Sequence, residues 1–219
     1  MALEAQPNWT KPLHDFKKWI WRVRVPGSQG DYTAGLDDFV PAGEVEAYLR
    51  QPGKLGEILG ALFGDGDDDI DAQQLVDRYS VVFAILVAID YGAYIGRFLP
   101  HESLRDARLP FDDRPRTFPD QGVSDTFFQR FRIEQARFCA SKIYEGNHKF
   151  EREERLPFLE KKLVGEGGSA KVYRVKIHAN HDFLSKPESP VSLIDNMWTC
   201  STAKFSPSLG RENDTNSTP

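Results

Sequence analysis

The residues best suited to chemistry lie together at 163–173, Leu163-Val164-Gly165-Glu166-Gly167-Gly168-Ser169-Ala170-Lys171-Val172-Tyr173. Glycine lets a backbone approach phosphate closely and offers N–H donors with no side chain in the way, so this segment can be weighed against the known phosphate-binding patterns. A P-loop needs Gly-Lys followed by a magnesium-binding hydroxyl, and a helix after it. Here Ala170 and Val172 occupy the places of that glycine and that hydroxyl. A dinucleotide fingerprint tolerates Ala170 at its third position, but it seats pyrophosphate on a helix N-terminus. The residues that follow, Val172-Tyr173-Arg174-Val175-Lys176-Ile177, are β-branched and alternating, which predicts a strand. The pattern left is strand, G-x-G-x-x-G-x-V, strand, met by Gly165, Gly167, Ala170 in place of the third glycine, and Val172.

This arrangement resembles the nucleotide-covering loop of a protein kinase. Upstream, His101-Glu102-Ser103-Leu104-Arg105-Asp106-Ala107-Arg108-Leu109-Pro110-Phe111-Asp112, Phe138-Cys139-Ala140 and Leu156-Pro157-Phe158 are similar to a region of filamentous-fungal proteins that carry a C-terminal protein-kinase-like domain. The resemblance spans residues 75–178. It implies a family activity of ATP-dependent Ser/Thr phosphorylation. It also implies a nucleotide site in which Gly165, Glu166, Gly167, Gly168, Ser169 and Ala170 arch over the phosphates, Ser169 stands at the tip, and Val164 and Val172 pack against adenine. Kinase chemistry further requires a strand-three Lys, its helix Glu, a catalytic Asp and Asn, and a metal-binding D-F-G. Neither H-R-D nor D-F-G occurs, Lys186 sits in Ser185-Lys186-Pro187, and Lys204 in Ala203-Lys204-Phe205 follows no β-branched run. The residues after Ile177 are far fewer than the rest of such a domain requires. The expectation is a truncated, inactive start of a kinase domain, with contact to ATP, no catalytic residue and no support for Mg2+. The alternative is a helical protein-interaction or regulatory module without enzymatic activity.

Other groupings read as structural. Asp65, Asp67, Asp69 and Asp71 have the spacing of a calcium loop, but Ile70 replaces its glycine and Val76 its closing Glu, so a helix-capping acidic loop is expected. His178 and His181 have no third ligand at zinc spacing and are expected on the surface. Gly167-x-Ser169 lacks the closing glycine of a nucleophile elbow and precedes a strand. Residues 14–24 and 130–137 interleave bases with aromatics as single-strand nucleic-acid platforms do, yet one packed aromatic face with bases opposite explains both.

These residues need elements to position them. Trp19, Trp21, Val23 and Val25 alternate with Ile20, Arg22 and Arg24, predicting a short strand. Helices are predicted at 42–50, 55–63, 71–95 and 125–144, the third with an apolar centre at 81–89. Four prolines between residues 100 and 119 predict an irregular connector. The fold class expected is α+β: a mainly α-helical N-terminal region, a β-hairpin resembling strands 1–2 of a protein kinase N-lobe, and a disordered C-terminal tail. The chain divides into 1–60 mixed, 61–150 helical, 151–180 the start of the kinase-like domain, and 181–219 irregular or disordered. Its 219 residues carry a net charge of −5, with 40% hydrophobic and 28% charged residues. That balance suits a globular protein and makes nucleic acid an unlikely partner. No stretch approaches the ~20 apolar residues of a membrane span, no secretory signal is evident, and Cys139 and Cys200 form no motif. A cytoplasmic or nuclear location and no membrane partner are therefore expected.

Overall fold

Residues 82–87 are apolar one after another, and in the computed structural model each is at most 2% exposed. They form the second half of α4 (Ala72–Ala88), and the helical region closes around them. The structure describes residues 11–28, 38–64, 70–119, 126–146, 150, 154–167, 171–184 and the backbone of 201–205. Its class is α+β, with helices α1 to α6 and strands β1 to β5.

The strand predicted around Trp19 is instead the end of α1 (Lys11–Val23). The buried set is Leu13, Phe16 and Ile20, a three-then-four spacing that fits one helical face, while alternating Trp21 remains 66% exposed. Phe16 stacks on Tyr48 and Phe83, which joins α1 to α2 (Glu44–Leu49) and α4. Only Val25 keeps extended pairing, in an isolated bridge to Phe39. The predicted helices near 42–50 and 55–63 are present as α2 and as α3 (Lys54–Phe63).

The long helix predicted to Ile95 stops at Ala88. Asp90 adopts φ 72, and the chain continues through a 3-10 turn (Gly92–Tyr94) into α5 (Ile95–Phe98). Within α4, Tyr79 leaves helical geometry (φ −134, ψ 15) and kinks the helix. Its hydroxyl donates to the His101 carbonyl at 3.0 Å. The proline-rich connector is irregular as expected, with short 3-10 turns at Glu102–Leu104 and Asp106–Arg108.

α6 (Phe127–Phe138) also ends before the predicted 144. Continuing it would bond the Ser141 N–H to the Arg137 carbonyl. That carbonyl instead accepts from Val40 N–H at 2.7 Å, and Ser141 N–H donates to the Arg155 carbonyl at 2.9 Å. Long-range partners thus outcompete the next helical turn. The chain turns extended as β1 (Ile143–Tyr144), parallel to β4 (Asp182–Phe183).

β2 (Phe158–Glu166) and β3 (Lys171–Ile177) form the predicted antiparallel hairpin, and β5 (Ser201–Phe205) pairs antiparallel along β3's other edge. Residues after 180, expected to be irregular or disordered, therefore contain β4 and β5. Of that segment, residues 185–200 and 206–219, including 210–219, lie outside the described residues. A second small core of Ile143, Phe158 and Val175 underlies the hairpin.

A cluster of ion pairs joins the two parts. The Arg24 side chain, 6% exposed, lies 2.7 Å from Glu134 and 3.3 Å from Asp38, and its guanidinium stacks 4.1 Å from the Trp21 ring centroid. Arg137 pairs with Asp38 and Glu134, and Arg155 with Asp38. Burial pulls the Arg24 pKa down, while Glu134 and Asp38 oppose that shift, so the group stays charged inside its cluster.

Two glycines test the packing in opposite directions. A Cβ on Gly92 would come within 2.9 Å of Val87 Cγ2, whereas one on Gly56 in α3 meets nothing within 4 Å. Gly92→Ala should therefore cost about 1–3 kcal/mol by overpacking. Gly56→Ala should stabilise by ~0.5–1 kcal/mol through lower unfolded-chain entropy. Urea midpoints of the two variants check the pair.

Candidate functional site

The hairpin's register gathers part of the sequence-predicted site. Leu163 pairs with Tyr173 and Gly165 with Val172, so Val164 is the extra residue of a bulge, and Val164 and Gly165 together oppose Val172. Val164 is 47% exposed. A Cβ on Gly165 would meet nothing within 4 Å, so the bulge presents open backbone. Glu166 pairs across the hairpin with Lys171 at 3.0 Å, closing the strands below Gly167. Gly168, Ser169 and Ala170 lie outside the described residues.

The two faces of the hairpin differ chemically. Tyr173, Val175 and Ile177 face the small core, as their alternation requires, and Lys161 Nζ sits 4.5 Å from the Tyr173 ring centroid. Val172 lies on the other face with Arg174 and its cross-strand partner Lys162, and there Lys176 pairs with Glu160 at 3.2 Å. This face therefore combines an apolar residue and an open glycine backbone with basic side chains, which suits an anionic group bearing an apolar ring. Along the other edge of β3, Lys204 takes the position opposite Val172. Sequence reasoning set Lys204 aside because no β-branched run precedes it. A pairing between residues 32 positions apart in sequence leaves no local signal to find.

A second locus arises at the kink in α4. Asp106 accepts from Val82 N–H at 2.9 Å, from Val81 N–H at 3.0 Å and from Ser80 Oγ at 3.1 Å. These donors open the helical half after Tyr79, so Asp106 caps an internal helix start from a distant turn. Burial pushes its carboxyl up to about 6 against the lowering effect of these bonds. Asp106 also stands on the wall shared by two adjoining cavities of about 600 and about 1050 Å3. Cys139 lines the larger one, but burial pushes its thiol up to about 12, which leaves it protonated and a poor nucleophile.

The other sequence groupings resolve as follows. Asp71 caps α4, its carboxylate accepting from Gln74 N–H at 2.9 Å, while Asp65, Asp67 and Asp69 lie outside the described residues. Among the described residues no three His, Cys, Asp or Glu side chains are grouped to hold a metal ion, and no helix is long and apolar enough to cross a membrane. Four bases of the aromatic-rich stretches are engaged internally: Lys17 pairs with Asp90 at 2.5 Å, Arg130 donates to the Ile89 carbonyl at 2.8 Å, and Arg24 and Arg137 belong to the ion-pair cluster. The expectation of surface histidines is overturned. His181 is 1% exposed and packs edge-on against Phe39, and His178 is partly buried beside the same ring. Local spacing offered only a metal test and no sign that Phe39 would cover the turn.

Comparison with protein-family models, with curated proteins and with solved structures returned no match.

Asp106 gives a signed pH prediction. Its folded pKa lies above the unfolded value near ~3.9, so its stabilising contribution is complete below about pH 4 and is lost as pH rises through about 6. Asp106→Asn keeps an acceptor without the charge. Its stability relative to the unsubstituted protein should rise by up to about 3 kcal/mol between pH 4 and 7. Asp106→Ala should cost about 1–3 kcal/mol by orphaning three donors. Urea denaturation across that pH range reads both.

Proposed function

We propose that the hairpin is the nucleotide-facing opening of a protein-kinase-like N-lobe, that its ligand is ATP, and that the helical region holds it in place. The observation carrying this reading is the register at the head of the hairpin, where Val164 and Gly165 oppose Val172 beside open backbone. Two further features support it. Val172 shares its face with Lys162 and Arg174, which offer positive charge to phosphates. A third strand, β5, pairs along the far edge of β3 with Lys204 in register with Val172, so the hairpin opens a three-stranded sheet as such a lobe would. With neither H-R-D nor D-F-G in the sequence, the activity proposed for this chain is nucleotide contact without phosphoryl transfer.

A second reading, the helical region as a protein-interaction or regulatory module, is favoured by one feature. Trp21 and Ile133 are 66% and 65% exposed on helices whose other large apolar residues pack into the core.

The test is thermal stabilisation by ATP, with and without Mg2+. At 100 times Kd a ligand adds about 2.7 kcal/mol, a shift of several degrees. Because a Cβ at Gly165 has open space in the free protein, Gly165→Ala should leave basal stability within about 1 kcal/mol, and alone or with Gly167→Ala it should reduce the ATP shift. Absence of any shift in the unsubstituted protein overturns nucleotide binding.

A further inference from the structure

The turn following the hairpin's second strand is bolted to the helical region through a buried imidazole. His181 Nε2 accepts from Ala42 N–H at 3.0 Å, and Nδ1 lies 3.1 Å from the Ser141 carbonyl. A carbonyl only accepts, so Nδ1 carries the proton, and Ala42 can only donate, so Nε2 is bare. Backbone groups thus fix both the tautomer and the neutral charge state. Around this bond, Asn180 Nδ2 donates to the Ala42 carbonyl at 2.9 Å, and Asn180 N–H donates to His178 Nδ1 at 3.2 Å. The turn is held by two bare imidazole nitrogens.

We propose that His181 is a proton-operated clasp between the helical region and the hairpin: the neutral ring closes it, and a proton on Nε2 sets one N–H donor against another at Ala42 and opens it. The charged groups at this junction are Glu44 from α2, Asp38 beside Phe39, Lys142 after α6, Glu154 and Arg155 before β2, Asp106 on the cavity wall, Asp182 next in the chain, and His178 on the same turn. Both ring nitrogens of His181 are already taken by backbone groups, so no carboxylate is bonded there to hold a second proton. Burial lowers its pKa, with His178 and Lys142 acting in the same direction against the Ser141 and Ala140 backbone bonds. The sign follows. With the folded pKa below the ordinary ~6.5, the closed state is favoured above that value and is lost as pH falls beneath it. Other bonds across the junction do not pass through His181, such as Ser28 N–H to the Phe158 carbonyl at 2.6 Å and the Arg155–Asp38 pair at 3.4 Å, so the opening is local. The clasp stands independently of nucleotide binding.

Asp106 titrates in an overlapping range with the opposite sign, so the readout must be local. Ring-nitrogen NMR of the full chain follows His181 protonation, and hydrogen exchange, corrected for intrinsic rate, follows the Ala42 amide from pH 7.5 to 5. The expected result is a fall in Ala42 protection of at least about tenfold, with a midpoint matching His181 protonation. In His181→Gln the amide can serve both partners without titrating, and protection should change less than about twofold. Protection that stays constant while the ring protonates, or an equal fall in His181→Gln, overturns the clasp. Should that variant fail to fold, mismatched midpoints in the unsubstituted protein overturn it equally.

Discussion

The burial of residues 82–87 is the constraint on which the remaining structure depends. A helical stretch that is apolar around its whole circumference cannot rest on a single partner, and α1, α2, the turn before α5, and α6 all close on α4. The helix does not reach this core straight. Tyr79 breaks its geometry, and the freed donors of Ser80, Val81 and Val82 need an acceptor inside the protein. Asp106 supplies it from the connector, so a single 3-10 turn becomes necessary to the core. The ionised carboxylate is costly at that depth, and the raised pKa of Asp106 measures the conflict.

The hairpin depends on the same core at second hand. Its own cluster of Ile143, Phe158 and Val175 is small, too little apolar area to hold two strands unaided. What locks it is polar: Arg155 on Asp38, Ser28 on Phe158, and the 178–181 turn on Ala42. Polar bonds fix direction more sharply than apolar contact does, so the Gly165 bulge is set at a defined place relative to the helices. They also bring titratable groups into the joint, which makes its closure sensitive to protons in a way a purely apolar joint would not be.

What could be read from sequence divides along the range of the forces involved. The α2, α3 and α4 segments, the Pro-rich connector and the β2–β3 hairpin rest on periodicity, turn residues and breakers within a few positions, and each is where those signals put it. α1 was misread because Trp19, Trp21, Val23 and Val25 alternate, while the spacing that decided the outcome began earlier, at Leu13 and Phe16. The ends of α4 and α6 were overrun because Gly92's close fit against Leu62 and Arg137's bond to Val40 come from elements distant in the chain. Of the candidate site, the loop composition and the face of Val172 were legible. The bulge at Val164, the position of Lys204 and the burial of His181 were not.

By itself, then, the sequence determined that the α2, α3, α4 and α6 segments are helical and the β2–β3 segments extended, that one helix must be central, and that a glycine-rich turn joins the hairpin's two strands, because each follows from side-chain type at short spacing. Only the tertiary structure decided where helices stop, which carboxylate caps the kink and which histidine goes inside. Each of those turns on a single backbone donor or acceptor finding its partner far along the chain, and local spacing carries no record of that choice.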